Sequence, residues 1–138
     1  MKRKGRRRVW IAVMALVLLL VLGAGGALLF TEGERREARN LPIKSVNFQR
    51  LHDGTYIGEY AGGKYKWRAN QVQVTVSGRK VTSIKLLAHA QNQSAASSDE
   101  LFGRVIQSQS LQVDTISGAT LTSMAYLKAI ENALDEAQ

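Results

Sequence analysis

Residues Val9 to Phe30, VWIAVMALVLLLVLGAGGALLF, run for 22 positions without one charged side chain. At about 1.5 Å per residue a helix of that length spans roughly 33 Å, against about 30 Å of bilayer hydrocarbon. The run therefore predicts one membrane-crossing helix near the N-terminus. Lys2, Arg3, Lys4, Arg6, Arg7 and Arg8 precede it, and no acid occurs before Glu32. Beyond Phe30 the charges are mixed: Glu32, Glu34, Arg35, Arg36, Glu37 and Arg39. This asymmetry places the N-terminus in the cytoplasm and everything after the run on the other side of the cell membrane. A cleaved secretory signal is the competing reading, with small residues at Gly23 to Ala27 as the cleavage site. Signal cores usually hold only about 7–15 apolar residues, so an uncleaved single-pass anchor is the reading adopted. Gly23 and Ala27 also make a small-xxx-small pair, for which a flexible exit from the bilayer is the plainer account.

The formal charge of +8 has to be read against that tail. Six of the 19 basic residues lie in it, and the other 13 are nearly balanced by the 11 acids. A nucleic-acid binder spreads its cations over a folded face or along a helix, so nucleic acid is not an expected partner. There is no cysteine, which excludes disulfides, cysteine-ligated metals, iron–sulfur clusters and lipid attachment through a thiol. His52 and His89 are the only histidines and lack paired-ligand spacing, so no metal site is expected. No nucleophile-elbow motif is present. Asn92-Gln93-Ser94 fits a glycosylation triplet, a pattern too common to carry weight.

Four segments follow: a basic cytoplasmic tail over 1–8, a transmembrane anchor over 9–30, a linker or stalk over 31–49 that holds the only proline, Pro42, and a domain over 50–138. Within the domain, DGTYIGEY (Asp53–Tyr60) opens on a turn dipeptide and continues as a strand. AGGKYKW reads as a turn. Val72, Val74 and Val76 alternate along QVQVTV (71–76), the clearest strand signal in the chain. SGRK turns the chain, and VTSIKLLAHA (81–90) returns as an antiparallel partner. Ser98 is a candidate N-cap for a short helix over 99–108 that buries Phe102, Val105 and Ile106. LQVD reads as a last short strand. Met124, Leu127, Ile130 and Leu134 stand at helical spacing along a final helix, 122–136. The fold class is α+β: a small antiparallel sheet with packed helices, preceded by one N-terminal transmembrane helix.

Between the last expected strand and the last helix lies VDTISGATLTS (113–123), five of whose eleven residues are Ser or Thr. A helix N-terminus carries free N–H groups and the positive end of the helix dipole, and so suits a phosphate. Gly118 permits backbone angles that other residues resist, Ala119 leaves room beside the chain, and Thr120 presents a hydroxyl at the rim. Local physics equally allows these residues to be ordinary helix caps and turn formers.

The order Asp114-x-x-Ser117-Gly118-Ala119-Thr120 resembles the signature of the FMN-binding domain family. That family includes the peripheral flavin subunits of the sodium-translocating NADH:quinone reductase and small membrane-anchored electron carriers. The resemblance extends over about residues 50–136: DGTYIGEY is similar to the family's opening strand, VQVTVSGRKVTSIKLLAH to its central hairpin, and the 105–134 region to its C-terminal end. It implies that 50–138 is an FMN-binding domain. It further implies that FMN is joined covalently, through a phosphoester, to Thr120 by a flavin transferase that uses FAD. Ser117, Gly118, Ala119, Leu121, Thr122 and Asp114 are the surrounding cofactor-binding candidates, with Thr122 and Ser123 weaker acceptors than Thr120. Asp114 would bond loop N–H groups or be read by the transferase, or simply form a turn.

Tyr56, Tyr60, Tyr65 and Trp67 are candidates to stack on the flavin ring, although core packing explains each as well. The loop Gln91–Ser98 is a candidate cover for the flavin, or a plain connector. It departs from the charged, Gly- or Pro-containing segment that follows the hairpin in many family members. The function implied is electron transfer at the membrane surface. The flavin is reduced by a membrane redox partner, such as a quinone-linked reductase or a cytochrome, and the protein has no catalytic residues of its own. Two alternatives stand beside it: a non-redox anchored adaptor, and a flavin-dependent reductase with its own substrate.

Overall fold

The structure, a computed structural model, describes residues 3–90 and 95–138. Lys2 of the basic tail, the Asn92-Gln93-Ser94 triplet and half of the candidate covering loop, residues 91–94, lie outside the described residues. The chain divides into two compact units, Met1–Gly33 and Glu34–Gln138. Helix α1 (Arg3–Arg39) supplies the first unit and begins the second. Its apolar stretch is exposed on every side, with Trp10, Leu19, Leu22 and Leu29 all more than 60 % accessible. By length and composition α1 is long and apolar enough to cross a membrane.

The second unit is a three-stranded antiparallel sheet, β1 (Gly54–Tyr60), β2 (Asn70–Ser77) and β3 (Lys80–His89), in the order β1-β2-β3. Strand alternation does what the sequence promises: Val72, Val74 and Val76 are buried while their neighbours face outward. Gly78 and Arg79, both near φ +61°, form the two-residue turn of the β2–β3 hairpin, a conformation whose twist matches the flanking strands. Helix α3 (Thr120–Glu136) packs on β1 and β2, and α2 (Ala95–Ser108) on β3. Leu127, Ile130 and Leu134 of α3 and Phe102 and Val105 of α2 enter the core, with Met124 and Ile106 at its edge. Gly58 sits where β1 meets α3: a Cβ there would lie 2.6 Å from the Ala133 amide nitrogen. The absent side chain is what lets the helix approach the strand so closely.

Two expectations need correction, and one segment is held more firmly than its composition suggests. Of the residues read as a linker or stalk over 31–49, those from Glu34 onward lie in the second compact unit. Lys128 Nζ donates to the Pro42 carbonyl (3.2 Å), and buried Glu131 accepts from the Lys44 amide (3.0 Å), so α3 straps this segment down. Ile43, Val46 and Phe48 then pack on the core. Ser98 is not an N-cap, because α2 starts a turn earlier at Ala95 and Ser98 is buried inside it. LQVD is not a strand. The backbone at its end is held by a side chain: Arg104 Nη1 donates to the carbonyls of Asp114 (2.7 Å) and Thr115 (3.2 Å).

Candidate functional site

The hydroxyl-rich turn is built by local bonds. The Ala119 amide donates to the Ile116 carbonyl at 2.9 Å, with Gly118 at φ +78° inside the turn. Ser123 Oγ donates to the Ala119 carbonyl (2.8 Å) and accepts from the Ile116 amide (3.2 Å). Arg104, fixed by its i,i−4 ion pair with Glu100 (2.6 Å), holds the entering backbone from the other side. The turn is thus set from two directions before α3 begins.

Those bonds sort the hydroxyls. Ser123 is 2 % exposed and committed to the turn, and Thr122 is 5 % exposed. Thr120, the first residue of α3, is exposed, as are Ser117 and Gly118. No side chain caps α3: its N-cap position is Ala119, which has no hydroxyl or amide to offer. The helix end therefore begins without a cap from its own N-cap residue, beside the one exposed hydroxyl of the first turn, Thr120. Asp114 is exposed, and among the described residues its carboxylate bonds no loop N–H; only its carbonyl is engaged.

Thr120 opens on a cleft of about 290 Å³ lined by Arg68, Gly118, Ala119, Leu121 and Thr122. Arg68 did not emerge from sequence reasoning. Its guanidinium is largely buried, and burial pushes it down from its ordinary value. It is ion-paired with Glu34 of α1, itself nearly buried. Two residues on, Asn70 is buried with its Nδ2 donating to the carbonyls of Arg68 and Ala125, both at 3.1 Å. The loop carrying Arg68 is also tied to α1 through Glu37, which accepts from the Lys64 amide at 3.0 Å. A cation beside a helix N-terminus and an exposed hydroxyl is an arrangement that fits a phosphate monoester or diester.

Of the aromatic candidates, Tyr56 and Tyr60 are half-buried against the core, and Tyr56 donates to the His52 carbonyl. Tyr65 and Trp67 stand on the Arg68 loop with ring centroids 6.5 Å apart, Trp67 being the more exposed. His89 lies at the end of β3, opposite Asn70, and with it and Glu59 lines a second cleft of about 280 Å³.

The sequence model of the FMN-binding domain family matches residues 66–135, which hold β2, β3, α2, the turn and nearly all of α3. The chain belongs to the FMN-binding domain family. The family assignment and the site agree, since the matched span runs from the Arg68 loop to the helix that starts at Thr120. Among solved structures, the CPE2226 protein from Clostridium perfringens is similar at 24 % identity, covering 63 % of this chain and 88 % of that one with a TM-score of 0.50. That likeness is one of fold. No curated protein matches the chain. If the phosphate of FMN enters the cleft at Thr120, the residues that would hold it are Arg68, Gly118, Ala119 and Thr120. The flavin would supply one- and two-electron redox chemistry that no side chain here offers.

Proposed function

We propose that this protein is a membrane-anchored flavin carrier whose FMN is joined by a phosphoester to Thr120 Oγ1, and that it relays electrons on the extracytoplasmic side of the cell membrane. The observation that carries the reading is the exposure of Thr120 at the uncapped N-terminus of α3, while Thr122 and Ser123 are buried. In the transfer from FAD, the Thr120 oxygen displaces AMP: a new Oγ1–P bond forms, the FMN–AMP pyrophosphate bond breaks, and the hydroxyl proton is lost. The protein's own residues bind and orient. Gly118 shapes the turn, the helix end and Arg68 offset the diester charge, and Arg104 with Ser123 keeps the loop in place. A charge at a helix N-terminus is typically worth only about 0.3–1 kcal/mol. That is too little to retain a cofactor where free FMN is scarce, and a covalent tether removes the difficulty. The apolar run of α1 confines the domain to the membrane surface, where a quinone-linked reductase or cytochrome can meet it.

The test is co-expression with a flavin transferase followed by intact-mass measurement. The expected adduct is FMN less one water, abolished by Thr120→Val and kept by Thr122→Val. An adduct that persists in Thr120→Val overturns the site. A wild type that never acquires one overturns the covalent reading.

A further inference from the structure

Among the described residues, the buried side-chain nitrogen and oxygen atoms without a hydrogen-bond partner all fall on Arg68 and Asn70. Arg68 Nη1 is nevertheless ion-paired with Glu34, so the orphans in substance are Arg68 Nε and Asn70 Oδ1. A buried donor or acceptor left unpaired costs about 1–3 kcal/mol, and native structures rarely keep one without a use. Here a donor and an acceptor are orphaned two residues apart, on one segment, against the first turns of α3. The orientation of the Asn70 amide is decided by its surroundings. Nδ2 faces two carbonyls, so Oδ1 is the atom left over. Asn70 is only 4 % exposed. Arg68 is in the wall of the Thr120 cleft and Asn70 in the wall of the second cleft, with Glu59 and His89.

We propose that Arg68 and Asn70 form a noncovalent half of the flavin site, with Arg68 Nε donating to a phosphate oxygen and Asn70 Oδ1 accepting from a ribityl hydroxyl. The inference rests on the reading that FMN occupies the Thr120 cleft. The chemistry matches in sign on both counts. A phosphodiester offers acceptors only, which suits an orphaned donor. The sugar-alcohol chain that follows it offers hydroxyl donors, which suits an orphaned acceptor. Arg68 can serve both anions, because its planar fork presents Nη1 to Glu34 and still has Nε to give. Glu34 then acts as a positioning residue: it offsets the buried guanidinium while the cleft is empty and holds it in place when phosphate enters. The flavin chain is led from the Thr120 cleft toward the cleft at Asn70.

The test uses the full chain in detergent micelles carrying Thr120→Val, so that no covalent bond forms, titrated with FMN, riboflavin and lumiflavin by fluorescence. FMN should bind about tenfold tighter than riboflavin, the contribution of one charge-assisted bond. Arg68→Lys keeps a partner for Glu34 but lacks Nε, and should erase that margin while leaving riboflavin affinity unchanged. The Arg68→Met/Glu34→Met pair, which leaves no buried lone charge, should do the same. Asn70→Ala should instead erase the margin of riboflavin over lumiflavin, which lacks the ribityl chain. The proposal is overturned if the margins survive these changes or if no flavin binds. Failure of the covalent reading is seen separately, as a missing adduct in the co-expressed wild type. Margins present without an adduct sink that reading alone, and an adduct with unchanged margins sinks this proposal alone.

Discussion

Glu34 Oε1, on the turns of α1 that follow the apolar run, is paired with Arg68 Nη1 in the wall of the Thr120 cleft, and the two side chains are only 6 % and 13 % exposed. The helix leaving the apolar run is therefore joined to the site by charge, not merely by chain continuity. Breaking one side of such a pair leaves an uncompensated buried ion. Glu34→Ala is expected to destabilise the domain by about 3 kcal/mol, and Glu34→Met combined with Arg68→Met by clearly less. Urea denaturation of the three proteins in micelles checks this. Equal losses in the single and double variants would refute it.

Gly58→Ala should be among the most damaging single changes in the domain. Its new methyl group meets backbone atoms of Ala129 and Ala133, which cannot rotate away as a side chain would. Strand β1 and helix α3 must separate, at a cost of about 3 kcal/mol or more. Far-ultraviolet circular dichroism on heating should show a lower midpoint, whereas Gly103→Ala, inside α2 with nothing within 4 Å, should leave the midpoint unchanged or raise it through alanine's helix preference.

Ser123→Ala removes two bonds that close the turn ahead of Thr120. A loss of about 1–2 kcal/mol is expected, since the Ile116 amide is left buried and unpaired. The rate of flavin attachment should fall as well, because the turn no longer holds Thr120 in one place. Arg104→Met should slow attachment in the same way by freeing the Asp114 and Thr115 carbonyls, with little effect on the core. Timed mass measurements with FAD and transferase separate rate from extent.

Asp53 accepts the Arg79 amide at the hairpin turn, and this backbone bond, reinforced by Gly78, holds its carboxyl below the ordinary value of 3.8. A group depressed in the folded state contributes stability that is present above 3.8 and lost as the pH falls through its lower folded value. Asp53→Asn should therefore cost stability at neutral pH, and the gap to wild type should close in acid. A gap that widens on acidification would show the wrong sign.

Much of this was legible in the sequence because it depends on local order. The uncharged run marks α1, alternation of Val72, Val74 and Val76 marks β2, and Gly78-Arg79 marks the hairpin. The bounds of the helices were less so. Ser98 looked like a cap, but nothing in ASSDE says that α2 can begin at Ala95 and bury that serine. LQVD has a strand-like composition, and whether it pairs depends on a free sheet edge beside it. In this fold Arg104 of α2 takes the next carbonyls instead.

The sequence by itself determined that the chain carries a membrane-length apolar helix, a small antiparallel sheet with helices, and the Asp-x-x-Ser-Gly-Ala-Thr order that ends on Thr120. Periodicity, charge runs and motif order are properties of neighbours along the chain, and one strand of text contains them. Only the tertiary structure decided that Thr122 and Ser123 are buried while Thr120 is not, that 34–49 is strapped to α3, and that Arg68 lines the cleft at Thr120. Burial and charge pairing depend on distances through space. Glu34, Arg68 and Thr120 are far apart in the chain, and nothing local to any one of them says that folding pairs Arg68 with Glu34 and sets it in the wall of the Thr120 cleft.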